Sequence, residues 1–278
     1  MDAVSATSAE PRRPGAVPAR PLPASNEPVL LRAGARGSLL VHGFTGCPWE
    51  MRFLADRLHE AGVTASVVRL AGHGTTPADM EGTAWADWYA SALGGLDALA
   101  DVSDDVVVVG QSMGALLALK LAAEHPERVR ALVLLAPALR TSMAWLPWVA
   151  PLIPFVVTAF GDRFRFVSKE GGSDVADDAA RAAIPSYPCT PLRSVVQLVA
   201  LQAHVRSLLG RVRQPVLIVH STQDHTCPID NVALLQKELP GPVRTLILRD
   251  SFHVVSVDRD REQVAAEVAA FIAAPPGV

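Results

Sequence analysis

Short, unbroken apolar runs recur along the chain, separated by stretches with helical spacing. SLLV, ASVV, DVVVV, ALVLLA, VLIV and TLIL contain no apolar-polar alternation, which predicts strands covered on both faces rather than strands with one wet face. Between the first two, WEMRFLADRLHEAG puts Met51, Leu54, Leu58 and Ala61 on one helical face and ends at Gly62, a residue suited to a C-terminal cap. WADWYASALGGLDALA, MGALLALKLAAEHPE, NVALLQKELPG and REQVAAEVAAFIAA carry the same spacing. Strand and helix therefore alternate, and the pattern predicts an α/β fold with a mostly parallel central sheet and helices on both faces.

The rhythm fails once, between Pro137 and about Thr190, where no clear strand and helix pair is legible. That interval carries MAWLPWVAPLIPFVVTAF, residues 143–160, which is long enough to raise a membrane span. Pro147, Pro151 and Pro154 would each remove a helix hydrogen bond, and a span would cut a soluble sheet in two. The expectation is instead an insertion at the carboxyl edge of the sheet, where open α/β folds bind ligands. TPLRSVVQLVALQAHVRSLL then reads as a helix leading back to VLIV. Residues 1–27, dominated by Pro, Ala and Ser, read as a flexible arm; their Arg12-Arg13 pair precedes no apolar segment and forms neither a secretory nor a twin-Arg signal. The expected division is an arm over 1–27, a core over 28–136 and 191–278, and a small inserted cap over 137–190.

Composition narrows the function. Half of the 278 residues are apolar, enough for a sizeable core. With 25 Lys+Arg against 28 Asp+Glu, a net charge of −3 and no run of like charge, the electrostatic footprint of a nucleic-acid binder is missing. Cys47, Cys189 and Cys227 are odd in number and scattered, so neither a disulfide framework nor a zinc cluster is indicated, and a reducing, cytoplasmic compartment is the simplest expectation.

The sharpest chemical signal is VVVVGQSMGALLALKLA, residues 106–122. Gly110-Gln111-Ser112-Met113-Gly114 is G-x-S-x-G between a buried strand and a helix, the context in which a serine is displayed on a strained turn while small neighbours let segments pass close by. A serine hydroxyl is a weak nucleophile and needs a base in reach and an acid to orient that base. The acid should follow the serine and the base should follow the acid. Asp224 stands just after VLIV, and His253 stands in the loop after TLIL, so both fall at the same edge as Ser112. His225 competes as base but shares a loop with the acid and would leave His253 without a role. Asp250, Asp258 and Asp260 lie too close to His253 in sequence to serve as its acid and read as surface or helix-start residues. His42, His59, His73, His125, His204 and His220 read as structural or exposed, with no metal-ligand spacing, so no metal and no cofactor is expected.

When a serine attacks an ester, charge develops on the carbonyl oxygen and backbone N–H groups must face it. Met113, at the positive end of its helix, should supply one donor, and Phe44, in His42-Gly43-Phe44 after SLLV, the second; an ordinary turn is the bland alternative for Phe44. Gly72-His73-Gly74 is a weak phosphate signal and reads as a tight turn, and Trp85 and Trp88 read as core packing.

Taken together, HGFTG, RLAGHGT, the Asp87-Trp88 pair, GQSMG, STQDHTCP and SFHVVSVD make the chain resemble the α/β-hydrolase superfamily, and within it the small bacterial carboxylesterases and monoacylglycerol lipases, from about Pro28 to Ile272. The resemblance implies the α/β-hydrolase fold, the triad Ser112, Asp224 and His253, oxyanion donors Phe44 and Met113, and a cap over 137–190. It departs at Ala115, where the group often has glycine, and most of all in the Trp- and Pro-rich cap. The expected activity is hydrolysis of single-chain lipidic esters such as monoacylglycerols. Trp145, Trp148, Ile153 and Phe155 are expected to bind the acyl chain, and lipid contact, if any, to be transient and through the cap. The rivals are a short-chain carboxylesterase, acyl transfer or perhydrolysis by the same acyl-enzyme, and a catalytically silent hydrolase fold that binds a ligand or partner. Haloalkane dehalogenation is disfavoured, because it would place a carboxylate where Ser112 stands.

Overall fold

Each of the apolar runs becomes a strand, and the strands' own alternation sorts their side chains between two apolar clusters. The computed structural model describes residues 26–103, 105–155, 165–169 and 171–275; residues 1–25 of the expected arm and 156–160 of the apolar run lie outside them. The strands are β1 (Val29–Leu31), β2 (Arg36–Val41), β3 (Thr64–Val67), β4 (Asp105–Gln111), β5 (Val129–Leu135), β6 (Phe166–Ser168), β7 (Cys189–Pro191), β8 (Val216–Ser221) and β9 (Val243–Leu248). Seven of them form the main sheet in the order β1-β3-β2-β4-β5-β8-β9. All neighbours are parallel except β1, which runs antiparallel to β3.

The helices are α1 (Trp49–Glu60), α2 (Pro77–Glu81), α3 (Trp85–Ala100), α4 (Met113–Glu124), α5 (Leu146–Val149), α6 (Asp178–Ala183), α7 (Leu192–Leu208), α8 (Asp230–Glu238) and α9 (Arg261–Ala273). On one face Leu39, Val41, Val106, Val108, Leu132, Leu134, Val216 and Ile218 pack with residues of α3, α4, α7 and α8. On the other, Leu40, Val107, Val109, Val133, Leu135, Leu217 and Val219 pack with α1 and α9. This is why the runs are continuous: odd and even positions both need an apolar side chain. Met51, Leu54 and Leu58 are buried in α1 as its spacing predicts. Ala61 is exposed, because it is the C-cap residue and stands past the last turn, followed by Gly62 at φ +82°.

The interval that looked patternless contains short elements. α5 has four residues and a 3₁₀ turn follows it over Ala150–Leu152, both interrupted by prolines. β6 and β7 pair antiparallel, with three residues each. Elements this short repeat no period, which is why the sequence pattern misses them, as it misses β1 and the five-residue α2.

Two turns meet at the centre of the carboxyl edge. β2 pairs with β4 through Val41 opposite Gly110, so the turns that follow these strands run side by side. A methyl group on Gly114 would stand 2.2 Å from the carbonyl oxygen of Val41 and 2.6 Å from that of His42, and one on Gly110 would stand 2.2 Å from the oxygen of Gly114. Only a bare backbone fits at either position. Gly114→Ala is expected to lower stability by about 1–3 kcal/mol, the usual cost of forcing a methyl group into a filled site. The check is a lower urea midpoint at unchanged slope.

Candidate active site

Between β4 and α4 the chain reverses within one residue. Ser112 takes φ 56° and ψ −113°, a strained setting for a residue with a side chain, worth about 1–3 kcal/mol. The surrounding backbone holds it there: its N–H donates to the Leu135 oxygen at 2.8 Å, and its own oxygen accepts from Ala115 N–H at 3.1 Å and Ala138 N–H at 3.3 Å. The bend turns the hydroxyl toward the loop after β9. There the His253 ring meets it, with 2.9 Å between Nε2 and Ser112 Oγ.

The other ring nitrogen, Nδ1, lies 2.8 Å from Asp224 Oδ2, on the loop after β8. A carboxylate only accepts, so Nδ1 carries the proton and donates it to Asp224, leaving Nε2 free to accept from the serine hydroxyl. The second oxygen of Asp224 accepts from the N–H groups of Thr226 at 2.9 Å and Cys227 at 2.8 Å. Burial pushes this carboxyl up, but His253, the Cys227 N–H and His220 outweigh it and hold Asp224 below its ordinary value. His220, fully buried on β8, stands 3.4 Å from Asp224 Oδ2 and 3.1 Å from the Cys227 oxygen. Burial lowers its pKa. The loop of His253 is also held by Gln111, whose Nε2 donates to the His253 oxygen at 3.0 Å.

The loop after β2 passes beside the serine: a methyl group on Gly43 would come within 3.2 Å of Ser112 Cβ. Met113 is the first residue of α4, so its N–H has no acceptor one turn earlier in the helix. Behind Phe44 stands an aromatic support in which its ring lies 5.8 Å from Trp88 and 6.4 Å from His73, centre to centre, with His42 5.3 Å from His73. Trp88 is anchored by Nε1 donating to Thr83 Oγ1 at 2.8 Å, while Asp87 caps α3 through the Ala84 N–H at 2.8 Å. The Asp-Trp pair thus has a physical role for each member. Gly72 and Gly74, at φ +69° and +67°, bend the chain that inserts His73 into this support.

Buried titratable groups surround the site. His42 lies 3.0 Å from the Gly43 oxygen through Nδ1 and accepts from Leu70 N–H through Nε2 at 3.2 Å, an arrangement that suits the neutral ring alone. Burial and the neighbouring His73 bring its pKa to about 3, and burial brings that of His73 to about 4. Glu50, 5% exposed, is pushed by burial to about 6 against the pull of Lys169. Lys169 is lowered by its own burial, and its Nζ lies 3.5 Å from Thr45 Oγ1.

Over these residues opens a cavity of about 510 Å³ that reaches Ser112 and His253. Its apolar walls, Ala138, Met143, Trp145, Leu146, Leu192, Val195 and Leu198, come from the chain after β5 and from α7, and its polar walls include Thr45, Glu50, Lys169, Ser173, Asp174 and His225. Of the aromatic and apolar residues expected to hold an acyl chain, only Trp145 lines it. Trp148 lines a neighbouring cavity and is 83% exposed, Phe155 is 74% exposed, and Ile153 lines neither cavity. Within the described part of the run, a four-residue helix is followed by a 3₁₀ turn, each with a proline in its first turn.

Ser112, His253 and Asp224 are brought together, and the competitors are not. The His225 side chain is 65% exposed and pairs with Asp174, 2.8 Å from Nδ1. Asp260 starts α9, and its Oδ2 accepts from Asp250 N–H and Ser251 Oγ. Asp258 departs from expectation: it is fully buried, and its carboxylate accepts from the N–H groups of Ala176, Asp177, Phe252 and Arg259. Among the described residues, no group of three or more His, Cys, Asp or Glu could hold a metal ion, and no helix is long and apolar enough to cross a membrane.

A strained serine between strand and helix, a histidine and a carboxylate from later loops of the same sheet edge, and a seven-stranded mostly parallel sheet define an α/β-hydrolase. Residues 36–260 match the family model Hydrolase_4, described as serine aminopeptidase, S33, and the chain belongs to that family. It is 33% identical over 258 residues to a thermostable monoacylglycerol lipase of Bacillus sp. (strain H-257), covering 92% of this chain and 98% of that one. It is 22% identical over 248 residues to a carboxylesterase of Bacillus subtilis (strain 168), covering 88% and 96%. A solved structure from work on the metagenome-derived lipolytic enzymes LipS and LipT superposes with a TM-score of 0.81 at 32% identity, covering 91% of this chain and 99% of that one. The chain is a serine hydrolase of the esterase and lipase kind.

The buried histidines fix a pH response of stability. Below their usual 6.5 and down to about 4, the unfolded chain binds protons at His42 and His73 that the folded chain refuses, so stability falls as pH falls through this window. Glu50 acts oppositely between about 6 and its usual 4.5, where the folded chain keeps a proton the unfolded chain releases. Two groups outweigh one, and the urea midpoint is expected to be lower at about pH 5 than at about pH 7. A midpoint that rises on acidification would contradict the neutral histidine support.

Proposed function

We propose that the chain hydrolyses monoacylglycerols or similar medium- to long-chain monoesters through an acyl-enzyme. The observation that carries this reading is the continuous hydrogen-bond path from Ser112 through His253 to Asp224, opening on a cavity whose walls are apolar on α7 and polar around Thr45, Glu50 and Lys169. His253 Nε2 takes the proton of Ser112 as Oγ attacks the ester carbonyl, and Asp224 stabilises the imidazolium that forms. The Phe44 and Met113 N–H groups face the oxygen that becomes negative. Collapse of the tetrahedral intermediate expels the alcohol, which receives the proton from His253. Water then attacks the acyl-enzyme by the same route, with His253 again as base, and releases the acid. The relative from Bacillus sp. (strain H-257), a monoacylglycerol lipase by name, supports the substrate class.

One observation favours a second reading, a short-chain carboxylesterase. Trp148, Ile153 and Phe155 stand off the cavity, which shortens the apolar wall available to an acyl chain.

Ser112→Ala and His253→Ala are each expected to lower kcat by roughly 10⁴ or more while circular dichroism stays native, and His225→Ala to cost far less. Labelling by a fluorophosphonate should disappear in Ser112→Ala, and persistence of turnover in that variant would remove the nucleophile. A series of glycerol monoesters from acetyl to palmitoyl decides the substrate. Burying one methylene is worth about 0.8 kcal/mol, roughly fourfold in kcat/KM, until the apolar wall ends. A maximum at medium or long chains supports the monoacylglycerol reading, and a monotonic decline from acetyl supports the short-chain esterase.

A further inference from the structure

Asp174 belongs to the inserted segment, far in sequence from each loop it touches. Its backbone oxygen accepts from the N–H groups of His253 at 3.1 Å and Val254 at 3.2 Å, on the base loop. Its carboxylate reaches the acid loop. Oδ2 accepts from His225 N–H and from Thr226 Oγ1, each at 3.0 Å, and Oδ1 lies 2.8 Å from His225 Nδ1. Both carboxylate oxygens are thus engaged by the protein, although the residue borders the substrate cavity.

These contacts close a ring. Thr226 donates its hydroxyl to Asp174 and its N–H to Asp224 Oδ1; Asp224 Oδ2 accepts a hydrogen bond from His253 Nδ1; and the His253 N–H returns to the Asp174 oxygen. We propose that Asp174 is a positioning residue that holds the Asp224 loop and the His253 loop in register, so that the inserted segment sets the geometry of the catalytic base. The inference rests on the serine-hydrolase reading above and extends it to a residue outside the triad.

The anchoring of the segment itself does not depend on the Asp174 side chain. Val175 is fully buried among Val254, Val257 and Ile184. Asp258 takes the N–H groups of Ala176 and Asp177 together with that of Phe252 on the base loop. Removing the carboxylate therefore leaves the segment seated and frees only the acid loop. A shift of about 1 Å in such a contact costs on the order of 10²-fold in rate.

The test uses the full chain, p-nitrophenyl acetate, a long-chain monoester and a small fluorophosphonate. Asp174→Ala is expected to lower kcat by roughly 10- to 100-fold on both esters with KM little changed, and to slow fluorophosphonate labelling by a similar factor. Asp174→Asn, which keeps an oxygen for the Thr226 hydroxyl and the His225 N–H, should return to within roughly fivefold of the parent, the loss from one weakened hydrogen bond. If Asp174→Ala fails to fold, Thr226→Val carries the test: it removes only the hydroxyl and should lower kcat several-fold on both esters. Unchanged kcat and labelling in Asp174→Ala, or in Thr226→Val, would overturn the inference. So would a rise in KM confined to the long-chain ester with kcat intact, which is the signature of a substrate contact. A parent chain that the fluorophosphonate does not label would overturn the serine-hydrolase reading and this inference with it, whereas a labelled parent with an equally reactive Asp174→Ala would overturn this inference alone.

Discussion

The site depends on how closely two backbone turns approach each other at the carboxyl edge of the sheet. Gly114 lies against the carbonyl groups of Val41 and His42, Gly110 against the turn that contains it, and Gly43 against Ser112. That contact fixes the distance between the serine and the loop that carries Phe44. Ser112 can hold a strained backbone because its N–H and carbonyl are tied to Leu135 at the end of β5, to Ala138 just after it and to Ala115 in α4, so relaxing the strain would break three hydrogen bonds. The strain is stored by a structure that over-determines it.

Around this contact, charge is distributed by burial and partners. Asp224 is held below its ordinary value because donors surround it and outweigh its burial, while His42 and His73 are lowered by their own burial, His42 also by its neighbour His73. The result is a carboxylate behind His253 and an uncharged support behind the loop of Phe44. A cation in that support would have to be desolvated in a site that leaves only neutral rings satisfied.

The parts of this arrangement legible in the sequence are those imposed by regular geometry. Strands buried on both faces need apolar side chains at successive positions, so DVVVV and VLIV announce themselves. A serine elbow needs small residues at fixed offsets, so Gly110 and Gly114 mark Ser112. Asp224 and His253 follow once the strand ends are known. Asp174, Asp258 and Gln111 carry no comparable mark: Asp258 and Gln111 bond to backbone groups that any sequence possesses, and the partners of Asp174, His225 and Thr226, lie some fifty residues along the chain. Asp258 looks like a surface acid beside Asp250 and Asp260, and only the fold shows that four N–H groups converge on it. The apolar run after Met143 is legible as composition alone: its pattern does not say which residues line which cavity, and Trp145 and Trp148 line different ones.

The two faces of the sheet differ in when they can be completed. The face that packs with α3, α4, α7 and α8 gains its helices progressively along the chain, each near the strands it covers. The opposite face is shared by α1, which directly follows β2, and α9, which follows β9. On a ribosome the inner strands β4, β5 and β8 would therefore emerge with Val107, Val109, Val133, Leu217 and Val219 bare on that side until α9 is made. Apolar strand surface exposed for that long is a site for misassociation. The helix after β9 thus completes the cover of a sheet whose serine-bearing edge has already been laid down.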